Sequence, residues 1–367
     1  MNIVADRNIP LLHETFGRHG QLVTLDGRDI RAADLAGADV LLVRSVTRVD
    51  ARLLAGANIR FVGSATIGTD HLDCRWLQRQ QIQWASAPGS NAASAAEFTL
   101  AMLLLACERL GRALHEQQVG IIGRGNVGAH LQALLSALGV TTLACDPPLA
   151  EQGVSGLADL DATLGCPVIS LHVPLTSAGR HPTRGLLDRQ RLERLQRHSL
   201  VVNTARGAVI DQAALLDLLQ ADRLFAALDV WAEEPGVDAE LVRAATVSTP
   251  HVAGHSLDGK RRGTEMIYRA FCAWLGEDCR AAAALPPDCQ ADLRGAPRPV
   301  WQAVMAACPV ARDDGALRAA AEGPANALGP AFDRLRRDYP ERRDFNHWRL
   351  RADASARPRL AALGFNV

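Results

Sequence analysis

Short apolar segments alternate with amphipathic segments along most of the chain. In the first hundred residues, runs at 2–5, 21–25, 39–43 and 59–64 predict strands, and the run at 39–43 is of the kind that is buried in a parallel sheet. Residues 11–18 have the periodicity of a helix. Strands that alternate with helices predict an open α/β unit.

The same alternation continues through the middle of the chain. Residues 91–110 predict a long, mostly apolar helix that leads from one α/β unit to the next, with Ser94 as its N-cap and Glu97 at the capping-box spacing. Beyond this helix, strands and helices follow one another with short loops, which indicates a second, doubly wound parallel sheet. Its strands are predicted at 119–122, 140–145, 168–172, 200–204, 224–230 and 247–249.

A glycine turn joins the first of these strands to a helix. Gly123, Gly125 and Gly128 have the spacing of a dinucleotide-binding turn, in which glycines permit a tight bend, close approach to a pyrophosphate and close helix packing. Asp146 ends the next strand about twenty residues on, where an acid binds the ribose hydroxyls and repels a 2′-phosphate. A glycine turn without a ligand is the alternative. The whole pattern favours a site for NAD over one for NADP.

Composition limits the classes of partner. The net charge is zero, with 40 basic and 40 acidic residues, so no polyanionic partner such as nucleic acid is expected. The eight cysteines lack C-x-x-C spacing and nearby histidines, so neither a metal site nor a disulfide framework is expected. No apolar run approaches the ~20 residues needed to span a bilayer, and the N-terminus lacks a signal pattern. We therefore expect a cytoplasmic protein with no membrane partner.

Three residues just beyond predicted strands are candidates for chemistry. His251 is suited to take a hydroxyl proton near neutral pH, Glu234 to orient and stabilise that imidazole, and Arg206 to bind a carboxylate through two hydrogen bonds. Each has an ordinary alternative, as a helix-end histidine, a loop acid or a surface ion pair, but their shared position favours a site. Asp229, also at a strand end, is suited either to hold a nicotinamide carboxamide or to cap a loop.

Polar residues also follow two strands of the first α/β unit. Arg44, Ser45 and Thr66 lie where parallel strands end, and a guanidinium with two hydroxyls can hold a phosphate or carboxylate. Thr69 and Asp70 are interpreted as turn residues. Residues 285–367, rich in Pro, Arg and Ala, contain nothing that suggests catalysis, and we interpret them as a small domain for association.

Several of these segments resemble the D-2-hydroxyacid dehydrogenase superfamily. They are the glycine turn 123–128 and the segments Asn203-Thr204-Ala205-Arg206-Gly207, Asp229-Val230-Trp231 to Glu234-Pro235, and Thr249-Pro250-His251. Further segments are similar to those of one branch of that superfamily. They are 43–47, 63–71, 145–148, 251–260, 339–343 and 363–366. The resemblance therefore covers nearly the whole chain.

The resemblance implies a fold class and a division of the chain. The fold is α/β, with two Rossmann- or flavodoxin-like parallel-sheet domains and a small C-terminal α+β dimerisation domain. A substrate-binding domain is expected at 1–93, with a helix in 256–284 that returns to it. The NAD-binding domain is expected at 94–255 and the dimerisation domain at 285–367, so a homodimer is expected.

The resemblance also implies a reaction and the residues that perform it. The expected reaction is NAD-dependent oxidation of the C2 hydroxyl of 4-phospho-D-erythronate to the 2-oxo acid in vitamin B6 biosynthesis, with Arg206, Glu234 and His251 as catalytic residues. Ser45, Thr66, Arg44 and His255 are the expected substrate contacts. The expected cofactor contacts are Gly123, Gly125, Asn126, Val127, Gly128, Asp146, Val173, Ala205, Asp229 and Gly254.

Two positions depart from that branch. His255 stands where the branch has a tyrosine, and it is either a phosphate ligand that binds better when protonated or a neutral spacer. Val173 replaces a threonine near the cofactor, which removes one hydroxyl. Two alternatives remain for the whole chain: a related dehydrogenase acting on glyoxylate, hydroxypyruvate or 3-phosphoglycerate, and an NAD-sensing regulator without turnover.

Overall fold

The computed structural model describes residues 1–279 and 285–367. These residues form two compact units: residues 1–91 with the described part of 256–286, and residues 92–255 with 287–367. The three-domain division at 93, 255 and 285 stays a prediction. The end of the returning helix that was expected at 280–284 lies outside the described residues.

The first unit is built on a parallel sheet with strand order β2-β1-β3-β4-β5. In this sheet Ile3 lies opposite both Leu22 and Val40. The predicted strand at 39–43 corresponds to β3, and all four residues of β3 are buried. The order reverses between β1 and β3, the arrangement of flavodoxin-like sheets. The strands are β1 Asn2–Asp6, β2 Gln21–Leu25, β3 Val40–Val43, β4 Phe61–Ser64 and β5 Gln83–Ala85.

A long helix covers one face of this sheet. It runs over Leu257–Leu275, after Ser256 accepts a hydrogen bond from the Gly259 N–H at 2.9 Å as the N-cap. Its residues Ile267 and Phe271 belong to the core that contains the strand residues of β1, β3 and β4. The helix thus belongs to the first unit. The other helices of this unit are Leu12–Thr15 and Cys74–Arg79, with 3₁₀ turns at Phe16–His19 and Ala32–Leu35.

The second unit contains a parallel sheet with strand order β11-β10-β9-β8-β6-β7. Strand order reverses between β6 and β8, and the carboxyl ends at such a switch point form the crevice where α/β proteins bind ligands. The strands are β6 Gln118–Ile122, β7 Thr141–Cys145, β8 Val168–Leu171, β9 Ser199–Asn203, β10 Leu224–Leu228 and β11 Val247–Ser248. All of them were predicted, with ends that differ by one or two residues.

The helices of the second unit pack on both faces of its sheet, in two hydrophobic clusters. They are Ala92–Arg109, Asn126–Ala137, Pro147–Glu151, Leu160–Leu164, Arg189–Arg194, Gln212–Gln220 and Ala239–Ala244, with 3₁₀ turns at Leu114–Glu116 and Gly207–Val209. The prediction of Ser94 as the N-cap of the first of these helices is wrong. Ser94 is a buried residue inside the helix, and its hydroxyl donates to the Asp344 carboxylate at 2.7 Å.

The C-terminal segment, residues 287–367, shares the core of the second unit. It forms a small parallel pair, β12 Cys289–Asp292 with β13 Trp348–Arg351. Its buried Phe345 and Leu360 pack in the same hydrophobic cluster as Leu103 of the long helix. The helices of this segment are Pro299–Ala307, Val310–Ala321, Ala325–Arg337 and Arg357–Ala362, with a 3₁₀ turn at Phe345–His347.

None of the helices in residues 1–279 and 285–367 combines the length and the apolar character that crossing a bilayer requires.

Candidate active site

The glycine turn after β6 has the geometry that its sequence predicted. Gly123 has a φ of 91°, and a Cβ added there would lie 2.7 Å from the carbonyl oxygen of His172. A Cβ on Gly128 would lie 1.9 Å from the carbonyl oxygen of Gly123. A Cβ on Gly125 would meet nothing within 4 Å. Two glycines are therefore required by packing, and the third borders open space at the start of the helix Asn126–Ala137.

This turn fits the diphosphate of a dinucleotide. The open space beside Gly125 adjoins the N-terminus of a twelve-residue helix, where the N–H groups of Asn126 and Val127 begin the helix. Asp146 lies at the end of β7, and its carboxylate accepts hydrogen bonds from the N–H of Arg124 at 2.8 Å and of Leu149 at 3.1 Å. Each of its oxygens retains a lone pair for a hydroxyl donor.

His172 and Val173 follow β8 on the other side of the switch point. The Nε2 atom of His172 lies 2.8 Å from the Ser170 hydroxyl, and its enclosed Nδ1 has no hydrogen-bond partner among the described residues. Burial lowers the pKa of His172 to about 3. The imidazole beside the glycine turn is therefore neutral. Val173 presents an aliphatic side chain at the same place, 2.9 Å from the Cβ position of Gly123.

Glu234 and His251 form the hydrogen-bonded pair that their positions at strand ends predicted. The Nδ1 atom of His251 lies 2.7 Å from Oε2 and 2.9 Å from Oε1 of Glu234. The Trp231 N–H donates to Glu234 Oε1 at 3.0 Å, which fixes the carboxylate from its own loop. Both side chains are partly buried, with 19% of Glu234 and 30% of His251 exposed. The imidazole edge that bears Nε2 is therefore the one left for another molecule.

The environment of Glu234 favours its ionised form. Burial raises the pKa of this carboxyl group, but the charges of His251 and Arg336 and the hydrogen bonds from His251 and Trp231 outweigh burial, so its pKa is lowered from the ordinary value. A carboxylate at Nδ1 stabilises the imidazole when it becomes protonated. The pair is therefore suited to accept and return a proton.

Asp229 holds the loop that carries His251. It is fully buried, and its carboxylate accepts from the Thr249 hydroxyl at 2.6 Å and from the N–H groups of Val252 and Ala253 at 2.9 and 3.0 Å. This loop places His251 at a φ of 55°, which is uncommon for a residue with a Cβ. Loop capping is thus present in the structure, and a contact of Asp229 with nicotinamide stays a prediction.

Arg206 lies in the loop after the neighbouring strand, β9. The buried Asn203 side chain donates to the Arg206 carbonyl at 2.9 Å and accepts from the Ala205 N–H at 3.0 Å. The Arg206 guanidinium donates to the Ala205 carbonyl at 2.8 Å. A Cβ on Gly207 would lie 2.0 Å from the carbonyl carbon of Trp231, so this loop packs directly on the loop that carries Glu234.

The residues after His251 are held by the C-terminal segment. The buried Arg342 donates to the carbonyls of Ala253 and Ser94 and, at 3.1 Å, of His255. The His255 ring lies edge-on to Tyr339, with ring centroids 5.9 Å apart. Gly254 lies between Ala253 and His255, whose carbonyls Arg342 binds. Arg342 therefore holds the backbone of 253–255 from a position 87 to 89 residues further along the chain.

The predicted substrate residues of the first unit lie at the carboxyl ends of β3 and β4. Arg44 is bound to the buried Asp6 carboxylate, with Nε at 2.8 Å and Nη2 at 3.4 Å, so much of its guanidinium is already engaged. Ser45 is exposed. The Thr66 hydroxyl lies 2.8 Å from that of Ser64, which in turn lies 2.9 Å from Nε2 of His71. Substrate contact by these residues stays a prediction.

Sequence reasoning missed Arg336 and Arg342. Both lie in a segment that was interpreted as free of chemistry. Arg336 lies beside Glu234, and Arg342 binds the loop after His251. No spacing rule relates a C-terminal arginine to a residue about a hundred positions earlier. No group of three or more His, Cys, Asp or Glu residues suited to a metal ion occurs in the described part of the chain.

The class of the protein follows from the sheet, the turn and a family comparison. Residues 103–253 match the family described as D-isomer specific 2-hydroxyacid dehydrogenase, NAD binding domain. Solved structures with the same fold include NAD⁺-bound 3-phosphoglycerate dehydrogenase of Entamoeba histolytica, with a TM-score of 0.66, 21% identity and coverage of 78% of this chain and 99% of that chain. NAD-dependent formate dehydrogenase of Staphylococcus aureus with NAD has a TM-score of 0.64 and 23% identity, covering 77% of this chain and 100% of that chain. The chain is an NAD-dependent oxidoreductase of this class.

Relatives of similar length narrow the class. Erythronate-4-phosphate dehydrogenase of Azotobacter vinelandii is 45% identical over 99% of this chain and 98% of its own length. The protein of the same name from Pseudomonas fluorescens is 44% identical over 99% of both chains. The chain belongs to the erythronate-4-phosphate dehydrogenase family.

Proposed function

We propose that this protein oxidises the C2 hydroxyl of 4-phospho-D-erythronate to the 2-oxo acid, 3-hydroxy-2-oxo-4-phosphobutanoate, as a step in pyridoxal 5′-phosphate (vitamin B6) biosynthesis. The observation that carries the proposal is the Glu234–His251 pair, with Oε2 and Nδ1 2.7 Å apart. The pair lies at the carboxyl edge of the sheet that also carries the dinucleotide turn. The full-length similarity to proteins named for this substrate supports the choice of acid.

In the proposed reaction His251 is the base. Its Nδ1 atom faces Glu234, so Nε2 takes the proton of the C2 hydroxyl, and the Glu234 carboxylate stabilises the imidazolium that forms. NAD, when bound, supplies the acceptor for the hydride that leaves C2. The proton is later released from His251 to solvent or, in the reverse direction, returned to the oxygen of the 2-oxo acid.

The proposed partner of His251 is Arg206. The guanidinium binds the substrate carboxylate through two hydrogen bonds and so orients C2. Asn203 and Gly207 support this role, because they fix the Arg206 loop against Trp231 and hence against the loop of Glu234. Asp229 fixes the other side of the site by holding residues 249–253.

The residues proposed to hold NAD follow strands of the second sheet on both sides of the switch point between β6 and β8. The turn and the helix N-terminus would bind the pyrophosphate and Asp146 the adenosine ribose. Val173 and Ala205 lie after the adjacent strands β8 and β9, and Asp229 and Gly254 are proposed near the nicotinamide. The proposed contacts are Gly123, Gly125, Asn126, Val127, Gly128, Asp146, Val173, Ala205, Asp229 and Gly254.

Four residues are proposed as substrate contacts: Arg44, Ser45 and Thr66 in the first unit, for a phosphate or a carboxylate, and His255 in the second unit, for a phosphate. Hydroxyls and a guanidinium are suitable hydrogen-bond donors to a phosphate. Arg44 already binds Asp6 through Nε and Nη2, and the Thr66 hydroxyl already contacts that of Ser64, whereas Ser45 is exposed. His255 would bind phosphate better when it is protonated.

We also propose that the protein is a cytoplasmic homodimer that associates through residues 285–367. The similarity of 339–343 and 363–366 to the dimerisation domain of the family supports this assignment. Sedimentation of the intact chain at about twice the mass of the 39.3 kDa monomer is expected. A monomer at micromolar concentration would contradict it.

The test of the reaction is NAD reduction by the purified protein with 4-phospho-D-erythronate, D-3-phosphoglycerate and D-glycerate. A parallel sample contains a 2-oxo acid acceptor, so that slowly exchanging NADH does not hide turnover. Preference for the four-carbon phosphate is expected. Preference for a three-carbon acid would overturn the substrate assignment, and NAD binding without any turnover would favour a regulator.

A further inference from the structure

A C-terminal helix brings a cation to the proposed catalytic pair. Arg336, in the helix Ala325–Arg337, places Nη1 3.6 Å from Oε2 of Glu234, and 21% of its side chain is exposed. The helix packs closely on the turn after this carboxylate, since a Cβ on Gly329 would lie 3.3 Å from the Pro235 carbonyl oxygen. Arg336 therefore adjoins Glu234 on an oxygen that also binds His251.

We propose that Arg336 is a positioning residue of the active site, whose charge holds the Glu234 carboxylate against Nδ1 of His251 and sets the pH range in which His251 acts as a base. The inference rests on the proposed function, in which His251 is that base. It assigns a role in the reaction to a segment that the dinucleotide-binding domain does not include, since the family match ends at residue 253.

The contacts of Arg336 differ from those of a structural arginine. Arg342 is a structural arginine, because its buried guanidinium binds the backbone carbonyls of Ser94, Ala253 and His255. Arg336, by contrast, has an enclosed Nε without a hydrogen-bond partner in the described residues, and its guanidinium lies 5.6 Å from the centre of the Phe332 ring. Its Nη1 is beyond hydrogen-bond distance of Glu234, so the interaction between them is one of charge.

The charged groups of the surrounding elements define what Arg336 adds. Arg206 comes from the loop after β9, where it binds the Ala205 carbonyl. Asp229 comes from the end of β10, where the 249–253 loop covers its carboxylate. Glu234 belongs to the loop after β10 and contacts both His251 and Arg336. Arg336 therefore balances the carboxylate that faces the imidazole.

The sign of the effect follows from this arrangement. A positive charge beside Glu234 offsets part of the attraction that Glu234 exerts on a protonated imidazole. If the positive charge is removed, the imidazolium form of His251 is favoured, and the neutral base is available only at higher pH. The acid limb of kcat/KM for oxidation should therefore move upward.

The experiment compares pH profiles of kcat and kcat/KM for the full-length protein and its Arg336→Met, Arg336→Lys and Arg334→Met variants. Arg334 lies two residues earlier on the same helix, is exposed, and serves as the matched loss of one positive charge. For Arg336→Met we expect the acid limb to rise by about half to one pH unit and kcat at pH 7 to fall about 3- to 30-fold, with the affinity for NAD unchanged. Arg336→Lys should restore most of the limb position, and Arg334→Met should match the unmodified protein.

Two outcomes would overturn the inference. An unmoved acid limb in Arg336→Met would show that the charge does not act on the pair, and an equal shift in Arg334→Met would show a general effect of surface charge. A Glu234→Gln variant separates this inference from the proposed function. Full activity in that variant would refute the proposed catalytic pair itself, whereas its loss together with a normal Arg336→Met profile would refute only the role of Arg336.

Discussion

At the scale of single residues, two histidines near the same edge of one sheet differ because of what surrounds them. His251 is hydrogen-bonded to the Glu234 carboxylate and has 30% of its side chain exposed. His172, after β8, binds the Ser170 hydroxyl and has an enclosed Nδ1. Burial favours the neutral imidazole of His172, whereas the His251 imidazole is hydrogen-bonded to the Glu234 carboxylate. The sequence alone does not distinguish these environments.

His172 should make the protein less stable in mild acid. Its pKa is about 3 in the folded chain and near 6.5 when unfolded. The unfolded chain therefore binds the additional proton as pH falls below 6.5, and the stability of the fold is lost progressively down to about pH 3. Between pH 7 and pH 5 this corresponds to about 2 kcal/mol.

A His172→Asn variant should lose this part of the pH dependence. Urea denaturation without NAD at pH 7 and pH 5 would measure it, with the exposed His115→Asn as the control. A drop in stability between the two pH values as large in His172→Asn as in His115→Asn would contradict the neutral state of His172.

At the scale of elements, the glycine turn separates folding from binding. Gly123 and Gly128 face backbone oxygens at distances that exclude a Cβ, whereas Gly125 faces open space at the helix N-terminus. The first two glycines therefore determine how β6 and its helix pack together. The third determines how near a phosphate can approach.

Single alanine substitutions in this turn should therefore have different effects. Gly128→Ala should lower the free energy of unfolding by about 1–3 kcal/mol, because the added methyl group overlaps the Gly123 carbonyl. Gly125→Ala should leave stability within about 0.5 kcal/mol and weaken NAD at least about tenfold, as expected for a methyl group facing the pyrophosphate. Urea denaturation and NAD titration of both variants would measure these effects. Normal NAD affinity in Gly125→Ala would remove this turn from the cofactor site.

At the scale of the whole molecule, the C-terminal segment takes part in the fold of the NAD-binding unit. The stacked rings of Phe345 and Phe365, 4.3 Å between centroids, lie in the cluster that includes Leu103 and Leu131. Truncation is consequently a poor test of dimerisation, because it also removes part of this core.

Deletion of residues 287–367 should therefore abolish NAD binding as well as any association. The milder Phe345→Ala variant should lower the free energy of unfolding by about 3–5 kcal/mol, the usual range for a buried phenylalanine. Urea denaturation followed by near-UV circular dichroism would measure the free energy of unfolding, and NAD titration would measure cofactor binding. Val367→Ala, at an exposed position, is the control. A shortened chain that bound NAD normally would show that the NAD-binding unit folds without this segment.

Three features were predictable because each depends on a local pattern: apolar period, glycine spacing or position after a strand. They are the succession of strands and helices along the chain, the dinucleotide turn, and the placement of Arg206, Glu234 and His251 after strands. The pairing of Glu234 with His251 and the switch point between β6 and β8 required the sheet order, which sequence does not state.

Long-range contacts were decided by the tertiary structure. Ser94 and Glu97 have the spacing of a helix cap, yet Ser94 binds Asp344 and Glu97 accepts from the Phe345 N–H at 3.1 Å, both about 250 positions away. Arg44 likewise binds Asp6, and Arg336 reaches Glu234. Periodicity and spacing describe neighbours along a chain, whereas a hydrogen bond or an ion pair depends on which elements the fold places side by side.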